Sequence, residues 1–424
     1  MRGFPALHIR LLLGYGALLF AATLVFQRMS AHSTSRLATI ESLVERKTFA
    51  IDRASYETID KVLVDGHYYS HQPPLQAIAG AAVYYPLWLV GFRLEPGRMT
   101  AYPMVTFAVN GLMTTVGLLF FGWALEWSEV SERWRLAVMA SLACGTLLLP
   151  FGTTMNGHGF SAALIAMGLY FYVRGGRLFW AGLLFGLAAA SDHALLVFFG
   201  VFGLGAVIRI GKAAAEFFVA GALVLLPVGV YYYAVGHSFA PLAVRPELFA
   251  YQGSVWSPSG DIQHRLTGAA WNSWQFAATY GLSLLVGPHG FLIYNPASCL
   301  ALYGMAVVIR RRMKYWIEAV GVAAASCMLI VYYAFASVNS SGSSYSVRWF
   351  IPFLPLWWFF GAPVVNGWAR RAPWWVVALC TVSLFYALAG ILNPWPLPDL
   401  GYSTPWANIV EEAHRPHFGW YLLR

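Results

Sequence analysis

Between its first two long apolar runs the chain reads RLATIESLVERKTFAIDRASYETIDKVLVDGHYYSHQPPLQ at residues 36–76. Six carboxylates stand in that stretch: Glu41, Glu45, Asp52, Glu57, Asp60 and Asp65. Only 11% of the 424 residues are charged, against 59% hydrophobic and 17% aromatic. A polar segment this dense between apolar runs is where chemistry is expected.

On both sides of it lie apolar runs long enough to cross a hydrocarbon core of about 30 Å, which predicts an all-α polytopic membrane protein with one membrane domain over 1–424. The net charge of +9 resides in short loops between such runs, so it orients the chain rather than binding nucleic acid. Cys144, Cys299, Cys327 and Cys380 all fall inside apolar runs and imply no disulfide framework. The run 11–26 has no small-residue cleavage site after it and is expected to be an uncleaved first helix.

Basic loops at 174–177 (RGGR), 209–212 (RIGK), 310–314 (RRRMK) and 370–371 are expected on the cytoplasmic side, with Arg2 and Arg10. Counting back from RGGR, 158–173 runs inward, 136–153 outward and 102–125 inward. The first helix already ends outside, so parity excludes 75–92 as a crossing and predicts a juxtamembrane or re-entrant helix there. With later runs at 177–190, 194–208, 213–235, 291–309, 316–336, 349–368 and 373–391, about eleven crossings are expected. The outer segments are then 27–101, 236–290 and the tail 392–424.

Within the first outer segment, Leu37, Ile40, Leu43 and Val44 predict an amphipathic helix on the membrane surface. Ile59, Val62 and Leu63 predict a second one over 56–66, closed by Gly66. The bland alternative for each carboxylate is a solvated helix face.

Several motifs carry a family resemblance. GHYYSHQPPL at 66–75 resembles the GxxYxxKPPL element of the protein O-mannosyltransferase and lipid A aminoarabinose transferase group, and Arg36-Leu37-Ala38 resembles the start of the same loop. AGLLFGLA at 181–188, GPHGF at 287–291 followed by Asn295-Pro296, and GSSYSVRWFIP at 342–352 resemble further elements, in the same order. The resemblance implies the fold of C-type (GT-C) membrane glycosyltransferases. It also implies a polyprenyl-phosphate-linked sugar as donor, a lipid, glycan or protein as acceptor, inversion at the sugar, and a site on the outer side of a bacterial inner membrane.

The family's base is an acid in an Asp-Glu pair just after the first helix. Here Ala31-His32-Ser33-Thr34 stands there, and Gln72 replaces the lysine of KPP. The base is therefore sought among Asp60 and Asp52, with Asp60 favoured because Asp65 and His67 follow it closely. Lys61 and His71 are candidates for the missing phosphate contact, with Gln72, His67 and Tyr69 in the same loop. Arg348 beside Tyr345 suits bidentate phosphate binding, its alternative being an interfacial anchor. His158 is expected to face the site, or merely to cap a helix, and Asp192-His193 to supplement the site from a short outer turn. No ligand spacing specifies a metal, so none is expected as cofactor, although Asp and His residues converge on one side. Trp256, Trp271, Trp274, Phe276 and Tyr280 shape an isoprenoid groove or form the ordinary interfacial belt. A lipid-linked sugar transporter or flippase is the competing class; it calls for ionisable residues within the helices and for inverted repeats, and no repeat is visible. A non-catalytic glycolipid-binding relative is the third reading.

Overall fold

The computed structural model describes residues 6–26, 29–96, 101–128, 130–256, 274–337, 341–342, 344–368, 373–396 and 404–413. Gln27, Trp271, Ser343, the basic pair 370–371, and the tail beyond 396 apart from 404–413 lie outside the described residues. Seven of the described helical segments are long and apolar enough to cross a membrane, and the chain is an integral, multi-pass membrane protein.

One of the seven, His193–Gly236, is 44 residues long and is two passes rather than one. Gly211 (φ +59°) interrupts it, and His193 Nε2 at its start lies 2.7 Å from the Tyr232 hydroxyl near its end, so the run folds back on itself. The helix Gly157–Arg174 is buried along nearly its whole length, between Met113–Ala124 and Leu178–Ser191. Small residues permit these contacts: a Cβ added at Gly117 would meet Ala163 Cα at 2.7 Å, and one at Gly182 would meet the Phe217 carbonyl at 2.0 Å.

The basic loops gather at one end of these helices. Glu318, buried, receives two hydrogen bonds from the Arg209 guanidinium and one from Tyr172 Oη (2.9 Å), while Tyr315 Oη donates to the Val173 carbonyl (3.0 Å). His158, Asp192 and Tyr232 stand at the opposite ends of the same helices.

Two expected crossings are broken. The run 136–153 divides into Glu132–Cys144 and Leu148–Gly152, and 291–309 into Phe291–Tyr294 and Ser298–Arg310. One side chain serves both breaks: Asn295 Oδ1 accepts from the Leu147 amide (2.7 Å) and Asn295 Nδ2 donates to the Phe291 carbonyl (2.7 Å). Freed backbone groups at such depth need partners of this kind. Upstream, 274–286, placed in an outer segment by the charge map, is the helix Trp274–Val286 and part of the candidate span Trp274–Tyr294.

The first outer segment departs most from expectation. Its first helix, Ala31–Glu41, capped by Ser30 Oγ, does not lie on a surface: Arg36, Leu37, Ala38, Thr39, Ile40 and Glu41 are all buried. Glu41 is a structural anchor, accepting from Arg46 (2.7 Å) and from the amide (2.8 Å) and hydroxyl (3.0 Å) of Ser55. The second expected helix is a β-hairpin. Strands β1 (Lys61–Val64) and β2 (His67–Ser70) pair antiparallel, Val62 opposite Tyr69 and Val64 opposite His67. Asp65 (φ +50°) and Gly66 (φ +82°) form the connecting turn, and two successive positive φ angles fit the turn type whose twist matches a hairpin. Val62 and Val64 pack with Tyr232, Leu242 and Phe249, so the hairpin docks onto the segment after Gly236. The helix Pro74–Leu89, opened by a proline where its missing N–H has no role, completes the segment where parity excluded a crossing.

Candidate functional site

A cavity of about 840 Å³ opens where the first outer segment meets the ends of the buried helices. Residues distant in sequence line it: His32 and Arg36, Asp60, His71 and Gln72, His158, Asp192 and His193, and Arg348.

Asn156 lines the cavity, and the buried amides of Asn110 and Gln76 stand behind it. Asn110 Nδ2 donates to the carbonyls of Thr154 (2.6 Å) and Asn156 (2.9 Å), and Gln76 Nε2 to Asn110 Oδ1 (2.6 Å) and the Asn156 carbonyl (2.7 Å). Asn156 Oδ1 then accepts from the His158 amide (2.9 Å) and starts the helix Gly157–Arg174. This fixes His158, whose Nδ1 lies 3.0 Å from Asp192 Oδ2. A carboxylate on Nδ1 leaves Nε2 as the unprotonated nitrogen, the arrangement of an imidazole base with its tautomer held.

On another wall, His32 Nδ1 lies 2.8 Å from Asp60 Oδ2, and the Asp60 side chain is 1% exposed. Ser35 Oγ donates to the Asp60 carbonyl (2.6 Å), fixing the backbone there. Burial alone would raise the Asp60 carboxyl, but the facing His32, His71 and Arg348 outweigh it and hold it below the usual carboxylate range. Burial pushes the His32 imidazole down to about 4 against the pull of Asp60, so it is neutral at pH 7. Gln72 links this wall to Arg36: its Oε1 accepts from the Arg36 guanidinium (2.8 Å), and its Nε2 lies 2.5 Å from His32 Nδ1 and 2.6 Å from His71 Nε2. Burial lowers Arg36 to about 10, opposed by Asp60 and Asp192, so it stays charged. Arg348, also buried, donates to the Ser341 carbonyl and lies 5.1 Å from the ring centroid of Trp395.

Asp60, His71, Gln72, His158 and Arg348 are thus brought together, and five other expected residues are not. Asp52 caps the hairpin instead, its Oδ1 accepting from the Tyr68 amide (2.9 Å) and its Oδ2 lying 3.1 Å from the exposed His67. Lys61 covers the Tyr68 ring (4.3 Å), and Tyr69 packs in the cluster under the hairpin. Tyr345 is fully buried, its hydroxyl donating to the Tyr386 carbonyl (3.0 Å). For Lys61, His67 and Tyr69, alternation along the strands and the docking of Val62 and Val64 carry the side chains away from the cavity. His32 and Arg36 are the residues that sequence reasoning missed. The signal was present, since His32 stands where the family that the motifs resemble carries an acid. Of the expected aromatic groove, Trp256 lines the cavity and donates from Nε1 to the Ile59 carbonyl (3.0 Å), whereas Trp274 is exposed.

No family model and no curated protein matches the chain. The solved structures give the class: the chain has the fold of GT-C membrane glycosyltransferases. It is similar to ArnT from Cupriavidus metallidurans bound to undecaprenyl phosphate, at 14% identity and TM-score 0.52, over 91% of this chain and 63% of that one. It is also similar to the oligosaccharyltransferase of Archaeoglobus fulgidus in its apo form, at 12% identity and TM-score 0.52, over 97% and 60%. The AglB enzyme of the same organism, in complex with an inhibitory peptide and a dolichol-phosphate, matches at 13% identity and TM-score 0.51, over 91% and 55%. The chain thus spans under two thirds of the length of each of these three proteins, and at such identities the likeness is one of fold.

Proposed function

We infer that the chain is a glycosyltransferase, moving a sugar from a polyprenyl-phosphate carrier to a lipid, glycan or protein acceptor on the outer side of a bacterial inner membrane. The observation that carries this is one cavity holding both a carboxylate-oriented imidazole, His158 with Asp192, and two buried guanidinium groups, Arg36 and Arg348. The gathering of three basic loops at the far end of the same helices supports an outward-facing cavity.

In the proposed reaction His158 Nε2 takes the proton of the acceptor's nucleophilic group as that group attacks the anomeric carbon. The bond from that carbon to the phosphate oxygen breaks on the opposite face, with inversion. Polyprenyl phosphate leaves with the electron pair, its charge compensated by Arg36 and Arg348. Asp60 lines the same cavity, but its side chain is 1% exposed and is engaged by His32 at 2.8 Å, which leaves His158 the better-placed base.

The test is transfer by purified protein in lipid, supplied with radiolabelled polyprenyl-phosphate sugars and a membrane lipid extract. Label moved by the wild type and lost in His158→Gln supports the reading. Undiminished transfer in that variant removes His158 as base, and no transfer from any donor favours transport or binding.

A further inference from the structure

A second cavity, of about 390 Å³, lies among the helices Glu132–Cys144, Ser298–Arg310, Leu354–Gly361 and Trp374–Leu392. Val138, Leu300, Val376 and Leu384 line it, and no charged side chain among the described residues borders it. Its hydroxyls are already engaged: Thr381 Oγ1 donates to the Val377 carbonyl (2.9 Å), and Ser141 Oγ lies 3.9 Å from Cys380 Sγ. Trp134 and Trp358 also line it, and neither indole N–H has a hydrogen-bond partner among the described residues. A buried indole N–H ordinarily has one. The cavity belongs to the inner half of the membrane. Trp134 stands in the first turn of a helix that starts at the cytoplasmic side, and just before that helix the Trp127 ring centroid lies 5.9 Å from Lys314 Nζ of the basic loop 310–314. Arg311 follows Leu300 by eleven residues, three helical turns, which sets it on the same face about 16 Å nearer the cytoplasm. Arg310 and Arg311 are exposed and their side chains have no partner among the described residues. Nearby, Glu318 is neutralised by Arg209 and Glu126 by Arg135 (2.9 Å), which leaves Glu132 against the four cations of 310–314. The inner mouth of the slot is therefore positive.

We propose that this slot binds one anionic glycerophospholipid of the inner leaflet, an acyl chain lying in the slot and the phosphate on Arg311. A polar occupant entering such a lining loses its water and gains no partner, so a hydrocarbon chain fits and a sugar or nucleotide does not. The bilayer supplies such chains where the slot opens, and Ala137 and Val377 are exposed at its rim. The ester carbonyls of a phospholipid lie just beneath its headgroup, at the level of an interfacial tryptophan, so one of them accepts from Trp134 Nε1. Charge then selects the headgroup, since each Lys or Arg close to an anionic lipid surface is worth about a fivefold preference. The positive-inside bias alone accounts for a basic loop, but not for an apolar slot that ends beneath it.

Sugar transfer enters none of the readouts, so the site stands or falls apart from the proposed reaction. Full-length protein is reconstituted in nanodiscs of phosphatidylglycerol and phosphatidylcholine, released into mild detergent and weighed by native mass spectrometry. One retained phosphatidylglycerol per protein is expected, favoured about fivefold or more over phosphatidylcholine. Ala137→Phe fills the slot from its exposed rim and loses the lipid, whereas Val219→Phe, on an exposed face of the helix Ala215–Gly236, keeps it. Val377→Trp, at the same rim, serves if thermal unfolding shows that Ala137→Phe is not folded. Arg311→Gln lowers the preference for phosphatidylglycerol about fivefold. No retained lipid in the wild type, or undiminished retention in the folded slot variant, overturns the site. Equal retention of the two lipids, or an unchanged preference in Arg311→Gln, overturns the headgroup assignment. Displacement of the lipid by excess glycerol 3-phosphate assigns the mouth to a soluble phosphate ester and overturns the proposal as well.

Discussion

Gly182→Ala probes the contact that holds the site's helices in place. An alanine Cβ at that position would lie 2.0 Å from the Phe217 carbonyl oxygen and 2.7 Å from the Phe217 Cα, both in the backbone of the facing helix. An ordinary carbon–oxygen contact is about 3.3 Å, so the helices Leu178–Ser191 and Ala215–Gly236 must part by about 1.3 Å. Because no side chain can rotate away, overpacking costs about 3 kcal/mol, at the upper end of its usual range, and the better helix propensity of alanine returns about 1 kcal/mol. The expected net destabilisation is about 2 kcal/mol. Gly14→Ala is the control, since a Cβ there meets nothing within 4 Å, and propensity alone makes that variant equal or more stable. Thermal unfolding of both variants in one detergent measures the difference as a drop of a few degrees in Gly182→Ala. The first helix ends one residue before Asp192, so the same displacement lowers the rate of any reaction that uses the Asp192 pair. A Gly182→Ala protein as stable as Gly14→Ala would refute the close-packing argument.

Three further outcomes are expected. Asp192→Asn keeps the volume but removes the charge that orders the His158 tautomer, so kcat for transfer falls by about 10²–10⁴ with little change in donor binding, checked by steady-state kinetics and a separate donor titration. Burial pushes the His32 imidazole of the folded chain down to about 4, from about 6.5 for an exposed imidazole. The unfolded chain thus binds more protons in that window, and the protein loses stability, on the order of 1–3 kcal/mol, as pH falls from 6.5 to 4, a slope that His32→Gln flattens in a chemical denaturation series. Glu41→Gln leaves Arg46 and Ser55 with a weaker acceptor and destabilises the first outer segment by about 1–3 kcal/mol, read as faster hydrogen exchange over residues 41–56.

How far the site was legible depended on how local each cause was. Arg348, His158 and Asp192 were found because they stand alone as polar residues at the ends of apolar runs, where such residues are rare and need a purpose. Asp52, Lys61 and His67 were misplaced because nearness along a polar loop was taken for nearness in space. The hairpin was misread because Ile59, Val62 and Leu63 match a helical spacing as well as a short strand, an ambiguity inherent in runs this brief. The Asp65-Gly66 pair flanked by Val64 and His67 was the available correction.

Apolar run length determined the membrane class by itself, because a bilayer of fixed thickness leaves few alternatives to a helix. The ordered motifs were likewise enough to suggest the fold. Only the tertiary structure decided that the charged helix Ala31–Glu41 is buried, that Asp52 belongs to a turn, and that His32, Asp60 and His71 meet. Those outcomes depend on the docking of the hairpin onto the segment after Gly236 and on the Asn110 and Asn156 hydrogen bonds, contacts between residues far apart in the chain that no local pattern encodes.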